Sequence, residues 1–158
     1  MTETRTRSPM VLALAEAEAA AARGEVPVGA VLVDAAGRVV AAAGNRVEAD
    51  HDPFAHAEML ALRVGTTRLG AKGLAGCDLW VTLEPCAMCA AAIGLARLRR
   101  LYFAAWDPKG GAVEHGPRLY EQPGANHRPE IYGGIDERRA AELLRAFFRD
   151  RRPPRQTG

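Results

Sequence analysis

The most restrictive feature of this chain is a strand, helix and strand passage between Asp78 and Ala105. Asp78–Leu83 is an apolar run of strand length, Pro85 opens a helical stretch reaching about Arg97, and Arg100–Ala105 is a second apolar run. A connection of that length joins parallel neighbours in one sheet. The chain must therefore build helices against a sheet around this unit.

The flanking segments fit the same layering. Ser8-Pro9 supplies a cap and a first-turn proline for an alanine-rich helix that runs to Arg23 and stops at Gly24. Val26–Asp34 and Arg38–Asn45 read as a two-strand hairpin with its turn at Ala36-Gly37. Asp52-Pro53 predicts a second helix starting near Phe54 and running to Gly65, with His56 and Glu58 in its opening turns. Residues Asp107–Pro129, with many Gly and Pro, form a long loop holding a short helix near Arg118–Glu121, and loops of this length are usually functional. Ile131-Tyr132 gives a short fifth strand. Asp136 caps a last helix on which Ala140, Leu143, Leu144, Phe147 and Phe148 follow helical spacing. The expected fold class is α/β: a three-layer α/β/α sandwich, one mixed sheet of about five strands with helices on both faces.

A length of 158 residues with 48% hydrophobic residues suits one domain over 1–158, with frayed tails at about 1–7 and 153–158. Arg5 and Arg7 precede Met10–Ala22, but Glu16 and Glu18 within that segment argue against a secretory signal or a membrane span. A soluble, cytoplasmic protein with no membrane partner is expected. The net charge of +2 is too small to announce a polyanionic partner. It is unevenly spread, however, with one cluster at Arg97, Arg99 and Arg100 and another at Arg145, Arg149, Arg151, Arg152 and Arg155. Such clusters serve either as solvated helix ends or as a phosphate-contacting surface.

Of the three cysteines, Cys77, Cys86 and Cys89, two form a CxxC, which argues for a metal or redox site rather than a disulfide framework. His56-Ala57-Glu58 and Pro85-Cys86-Ala87-Met88-Cys89 each follow a loop at a helix start, and two helix N-termini can converge on one point. The dipole and free N–H groups of a helix start favour a thiolate at Cys86, and Cys89 lies one turn on, on the same face. Two thiolates and one imidazole suit zinc, and three ligands leave one position for a water that zinc would activate. Displacing an amine also requires protons delivered to a ring nitrogen and to the leaving group, a task for Glu58. In a regular helix an i,i+2 pair does not share a side, so the first turn must let His56 bind metal while Glu58 reaches past it. A lone CxxC is often a redox pair or half of a structural zinc site; the combination with HxE and the preceding proline points to catalysis. Cys77 precedes the strand whose far end carries the cysteine helix, so it is expected outside the metal site.

The two motifs resemble those of the zinc-dependent nucleobase deaminases. The blocks Gly24–Val33, Asn45-Arg46, His51-Asp52-Pro53, Ala55–Glu58, Val81–Cys86, Asn126-His127-Arg128 and Phe147-Phe148-Arg149 with Arg151-Arg152 resemble the family of bacterial tRNA-specific adenosine deaminases. The resemblance implies conversion of the wobble adenosine of a tRNA anticodon loop to inosine by a homodimer of the cytidine-deaminase-like fold. It implies one zinc per subunit on His56, Cys86 and Cys89, with Glu58 catalytic. Asn45 is then expected to hydrogen-bond the flipped base, Asp107 and Lys109 to touch the sugar-phosphate backbone, Asn126 to line the entrance, and Phe148 and Arg151 to lie beside the anticodon stem-loop. Phe54, Trp106-Asp107-Pro108 and Val113–Arg118 depart from the usual family pattern, on loops that would shape the entrance.

Two other readings use the same metal. A deaminase of a free base or nucleoside, such as guanine or cytosine, would share the zinc and Glu58 but would not need the arginine-rich last helix. A non-catalytic zinc protein would need neither Glu58 nor an open metal position.

Overall fold

The structure is a computed structural model that describes residues 7–151. The tails expected at about 1–7 and 153–158 lie outside that range except for Arg7, as do Arg5, Arg152 and Arg155. Among the described residues four α-helices, α1 (Pro9–Ala22), α2 (Ala57–Leu69), α3 (Ala87–Leu95) and α4 (Glu137–Arg151), flank five strands. The strands are β1 (Gly29–Val33), β2 (Val39–Gly44), β3 (Asp78–Leu83), β4 (Arg100–Ala105) and β5 (Glu130–Gly133), with a 3-10 turn at Leu119–Glu121.

The sheet order is β2-β1-β3-β4-β5. β1 runs antiparallel to both β2 and β3, whereas β3, β4 and β5 are parallel. The mixed sheet and its parallel half are as the sequence predicts. All five residues of β1 are buried, as a central strand covered on both faces requires, which is why it reads as an unbroken apolar run.

One core lies between the sheet and α2 and α3, built on Leu32, Leu79, Leu101 and Phe103. The other lies under α1 and α4 and holds Met10, Leu14, Val31 and Ala140. These two cores on opposite sheet faces make the three layers. The small residues of α1 let it lie directly on β1: a Cβ at Gly29 would stand 1.9 Å from the carbonyl oxygen of Ala13. Glycine is therefore the one residue that fits there.

Two helices start later than the sequence suggests. Asp52 Oδ1 accepts the Phe54 N–H at 2.8 Å, so Asp52-Pro53 builds a turn of its own, and α2 begins only at Ala57. The Ala57 N–H is taken instead by Asn45 Oδ1, at 2.8 Å, from the end of β2. A side chain twelve residues away thus supplies the cap that Asp52 was expected to give. Pro85 likewise precedes the helix without joining it, and α3 starts at Ala87 and ends at Leu95, short of Arg97, whose φ is +58°.

Candidate active site

His56 and Cys86 occupy matching positions, each the last extended residue before its helix, with φ, ψ of −73°, 148° and −71°, 174°. Cys86 follows the carboxyl end of β3, the edge at which α/β sheets place their ligands. Cys89 lies one turn into α3 and is buried. His56 Nδ1 stands 3.6 Å from Cys86 Sγ and 3.5 Å from Cys89 Sγ. The three donor atoms lie within 4.8 Å of one another.

That set fits zinc on geometry and on charge. A nitrogen and a sulfur bound to one tetrahedral zinc at ordinary bond lengths stand about 3.6 Å apart. The Cys86 thiol is lowered to about 4, chiefly by its hydrogen bond with Cys89 and then by His56, against the opposing effect of burial. Cys89 is correspondingly pushed far up by its bond to Cys86 and by burial. The pair so shares one negative charge and one proton, and a dication that displaces the proton gains two thiolates. Zinc is the cofactor these residues would hold, consistent with their donor types.

Glu58 is the second residue of α2 and is buried, which pushes its carboxyl above the usual range. Because His56 is extended rather than helical, the i,i+2 obstacle of a regular helix does not arise. Both residues line a cavity of about 860 Å³, together with Asn45, Cys86, Asp107 and Arg151. Asn45 Oδ1 accepts the Ala57 N–H, which fixes the amide plane and leaves the NH2 group to donate. Asp107 Oδ1 accepts the N–H groups of Lys109 and Gly110, which closes the turn at the cavity edge.

A neighbouring cavity of about 950 Å³ shares Asp107 and Arg151 with the first and adds Lys109, Arg145, Phe148 and Arg149. The two phenylalanines of α4 divide their roles: Phe147 is 8% exposed and carries the Arg151 guanidinium 3.6 Å above its ring, whereas Phe148 is 50% exposed. Asn126 is elsewhere. It borders a third cavity of about 380 Å³ beside α3, with Leu95, Tyr120 and His127, and does not line the metal cavity of its own chain. The reason is topological: β5 is parallel to β4, so the long loop must return to the amino ends of the strands, and Asn126 lies just before β5.

Cys77 is buried in the α2/α3 core, outside the donor cluster, with its thiol raised by burial. Phe54 is exposed, and Trp106 packs edge-on against Phe103 while its Nε1 donates to Glu114 Oε2 at 2.7 Å.

Two buried carboxylates in the wall of the metal cavity had no role in the sequence reading. Glu25 accepts the N–H groups of Glu48 and Ala49, which pins the segment between β2 and α2. Glu84 accepts those of Asp107, Val113, Glu114 and His115, which pins the loop after β4. Burial alone would raise the Glu84 carboxyl, but the converging donors hold it below the usual range. The available signal was a lone acid beside an apolar run, Leu83-Glu84-Pro85 and Glu25-Val26-Pro27, where a solvated charge is out of place.

Residues 3–105 match the family described as the cytidine and deoxycytidylate deaminase zinc-binding region. Over 130 residues the chain is 55% identical to the tRNA-specific adenosine deaminase of Agrobacterium fabrum, covering 82% of this chain and 85% of that one. The tRNA-specific adenosine deaminase of Bacillus subtilis is 43% identical over 130 residues, covering 82% and 80%. A solved structure from work on A-to-I editing by tRNA:A34 deaminases at the wobble position superposes with a TM-score of 0.84 at 54% identity, over 86% of this chain and 98% of that one. The guanine deaminase of Bacillus subtilis superposes with a TM-score of 0.62 at 29% identity, over 95% and 96%.

Proposed function

This chain belongs to the zinc-binding cytidine and deoxycytidylate deaminase family, and we propose that it hydrolyses the wobble adenosine of a tRNA anticodon loop to inosine. The observation that carries the choice of substrate is the second cavity. A free base needs only the metal cavity, whereas Lys109, Arg145, Arg149 and Arg151 beside the exposed Phe148 ring offer phosphate contacts and a stacking surface to flanking nucleotides. No helix among the described residues is long and apolar enough to cross a membrane.

His56, Cys86 and Cys89 would hold the zinc, which supplies Lewis-acid activation of the hydrolytic water. Glu58 would take one proton from the attacking water and pass it to the ring nitrogen, then take the proton of the hydroxyl newly formed on the ring carbon and pass it to the departing amine, which leaves as ammonia. Its burial suits the task, since a carboxyl raised towards neutrality can both accept and donate. Asn45 would orient the flipped base through its free amide NH2, while Asp107 and Lys109 would meet the sugar-phosphate backbone where the two cavities join. Phe148 and Arg151 would pack beside the anticodon.

The reading extends to RNA binding by a homodimer in the cytoplasm. Support for pairing comes from α3, where Leu95 is 82% exposed next to the cavity that holds Asn126. An Asn126 contact to RNA would then be made across the pair.

The experiment that tests the substrate is conversion of adenosine to inosine in an anticodon stem-loop whose anticodon begins with A, run beside free guanine, cytosine and their nucleosides over a range of salt. Turnover of the stem-loop alone, falling with salt, is expected. Turnover of a free base alone would overturn the RNA roles and leave the zinc chemistry standing.

A further inference from the structure

The loop that follows β4 supplies Asp107 and Gly110 to the wall of the metal cavity, and it is anchored on Glu84 in that same wall. Glu84 Oε1 accepts the Asp107 N–H at 3.0 Å and His115 Nδ1 at 2.7 Å, and Oε2 accepts the N–H groups of Val113, Glu114 and His115 at 3.2, 2.9 and 3.0 Å. Five donors so converge on one fully buried carboxylate side chain. A carboxylate offers only lone pairs, so His115 Nδ1 is the protonated ring nitrogen.

The wrap is close everywhere. A Cβ at Gly111 would stand 2.5 Å from Glu84 Cδ, and one at Gly116 would stand 2.6 Å from the Gly111 carbonyl oxygen. Ala112 N–H reaches the Pro85 carbonyl at 2.9 Å. The same three residues, Glu84-Pro85-Cys86, thus carry the anchor of the loop and a ligand of the metal. His115 itself is one-third exposed, borders a separate open cavity with Trp106, Glu114 and Arg118, and does not line the metal cavity.

We infer that His115 is a positioning residue: by donating its Nδ1–H to Glu84 it locks residues 107–115 onto the end of β3, and so sets where Asp107 and Lys109 stand against the bound nucleic acid. The four backbone donors of the anchor depend on loop conformation and recur with any side chain. The imidazole is the one side-chain donor, and it closes the loop at its far end, eight positions from Asp107. Trp106 Nε1 on Glu114 adds a second tie across the same ends. The Glu84–His115 and Trp106–Glu114 ties are in this way a single device that stiffens the entrance. The inference rests on the proposed RNA substrate for its kinetic consequence but not for the anchor itself.

The test compares His115→Ala, His115→Gln and His115→Asn in the zinc-loaded protein. The asparagine amide nitrogen takes the place of Nδ1, whereas that of glutamine takes the place of Nε2, out of reach of Glu84. For the stem-loop, alanine and glutamine should raise KM about tenfold with kcat held within about twofold, as expected for a lost hydrogen bond to a charged group. Asparagine should restore KM, and zinc content should stay at one per chain throughout. Independently of any substrate, amide hydrogen exchange at Asp107 and Val113–His115 should quicken in the alanine and glutamine variants and recover in the asparagine variant. Unchanged exchange in His115→Ala, or an asparagine variant that behaves like alanine, overturns the inference, as does a loss confined to kcat. If the parent protein does not turn over the stem-loop, the proposed substrate falls and the exchange measurement alone decides the anchor.

Discussion

His56 and Cys86, thirty positions apart in the chain, meet at 3.6 Å because each is the last extended residue before a helix and the two helices point their amino ends at one spot. The metal site is thus made from two helix starts rather than from one continuous loop. Its consequences can be measured.

Removing zinc with a chelator should abolish turnover and leave Cys86 as the reactive thiol. With its thiol lowered to about 4, Cys86 is a thiolate at neutral pH, whereas burial and its neighbours push Cys77 and Cys89 the other way. Alkylation followed by peptide mass mapping should therefore mark Cys86 first in the metal-free protein and none of the three in the zinc-loaded one. First modification at Cys77 would contradict the arrangement.

Replacing Glu58 by Gln keeps the shape of the buried side chain and removes its proton transfer. Inosine formation should drop by about 10²–10⁴-fold with zinc content unchanged. Retained activity would remove Glu58 from the chemistry, and lost zinc would recast it as a support for the metal.

Phe147 and Phe148 are adjacent and chemically identical, yet they should fail differently. Phe147→Ala empties a buried site and should cost about 3–5 kcal/mol of unfolding free energy, read by denaturant titration. Phe148→Ala should leave stability nearly unchanged and raise KM for the stem-loop. A stability loss at Phe148 equal to that at Phe147 would place both in the core.

Arg151→Ala should weaken stem-loop binding and make it less sensitive to salt, lowering the slope of log affinity against log salt by about one if the guanidinium meets a phosphate. An unchanged slope would assign Arg151 to its contact with the Phe147 ring alone.

Gly29→Ala should destabilise the fold by about 1–3 kcal/mol or more, because the added methyl meets the backbone of α1 at Ala13 and Ala17, which cannot rotate aside. Gly65→Ala, where the nearest atom is the tip of Leu32, should cost less. Thermal melting of the two variants would rank them.

Much of this was legible beforehand. β3 and β4 lie at the residues read from the sequence, since an apolar run between breakers is a local signal. The donor set was legible for a different reason: histidine, glutamate and two cysteines at such spacing carry chemistry in their residue types. Phe147 and Phe148 shared one helical pattern, and only the fold separated them, turning Phe147 into the wall of the metal cavity and leaving Phe148 exposed.

The start of α2 at Ala57, the five-donor anchor on Glu84, and the displacement of Asn126 to the far end of the sheet were not legible. Each depends on groups brought together by the fold: Asn45 with Ala57, Glu84 with His115, and a loop obliged to return before a parallel strand. By itself the sequence determined the elements, the layering and the metal's donors, because periodicity and residue chemistry act over a few positions. Only the tertiary structure decided which cavity each loop residue faces and which carboxylates are anchors, because a hydrogen bond between distant residues leaves no trace in the pattern of either.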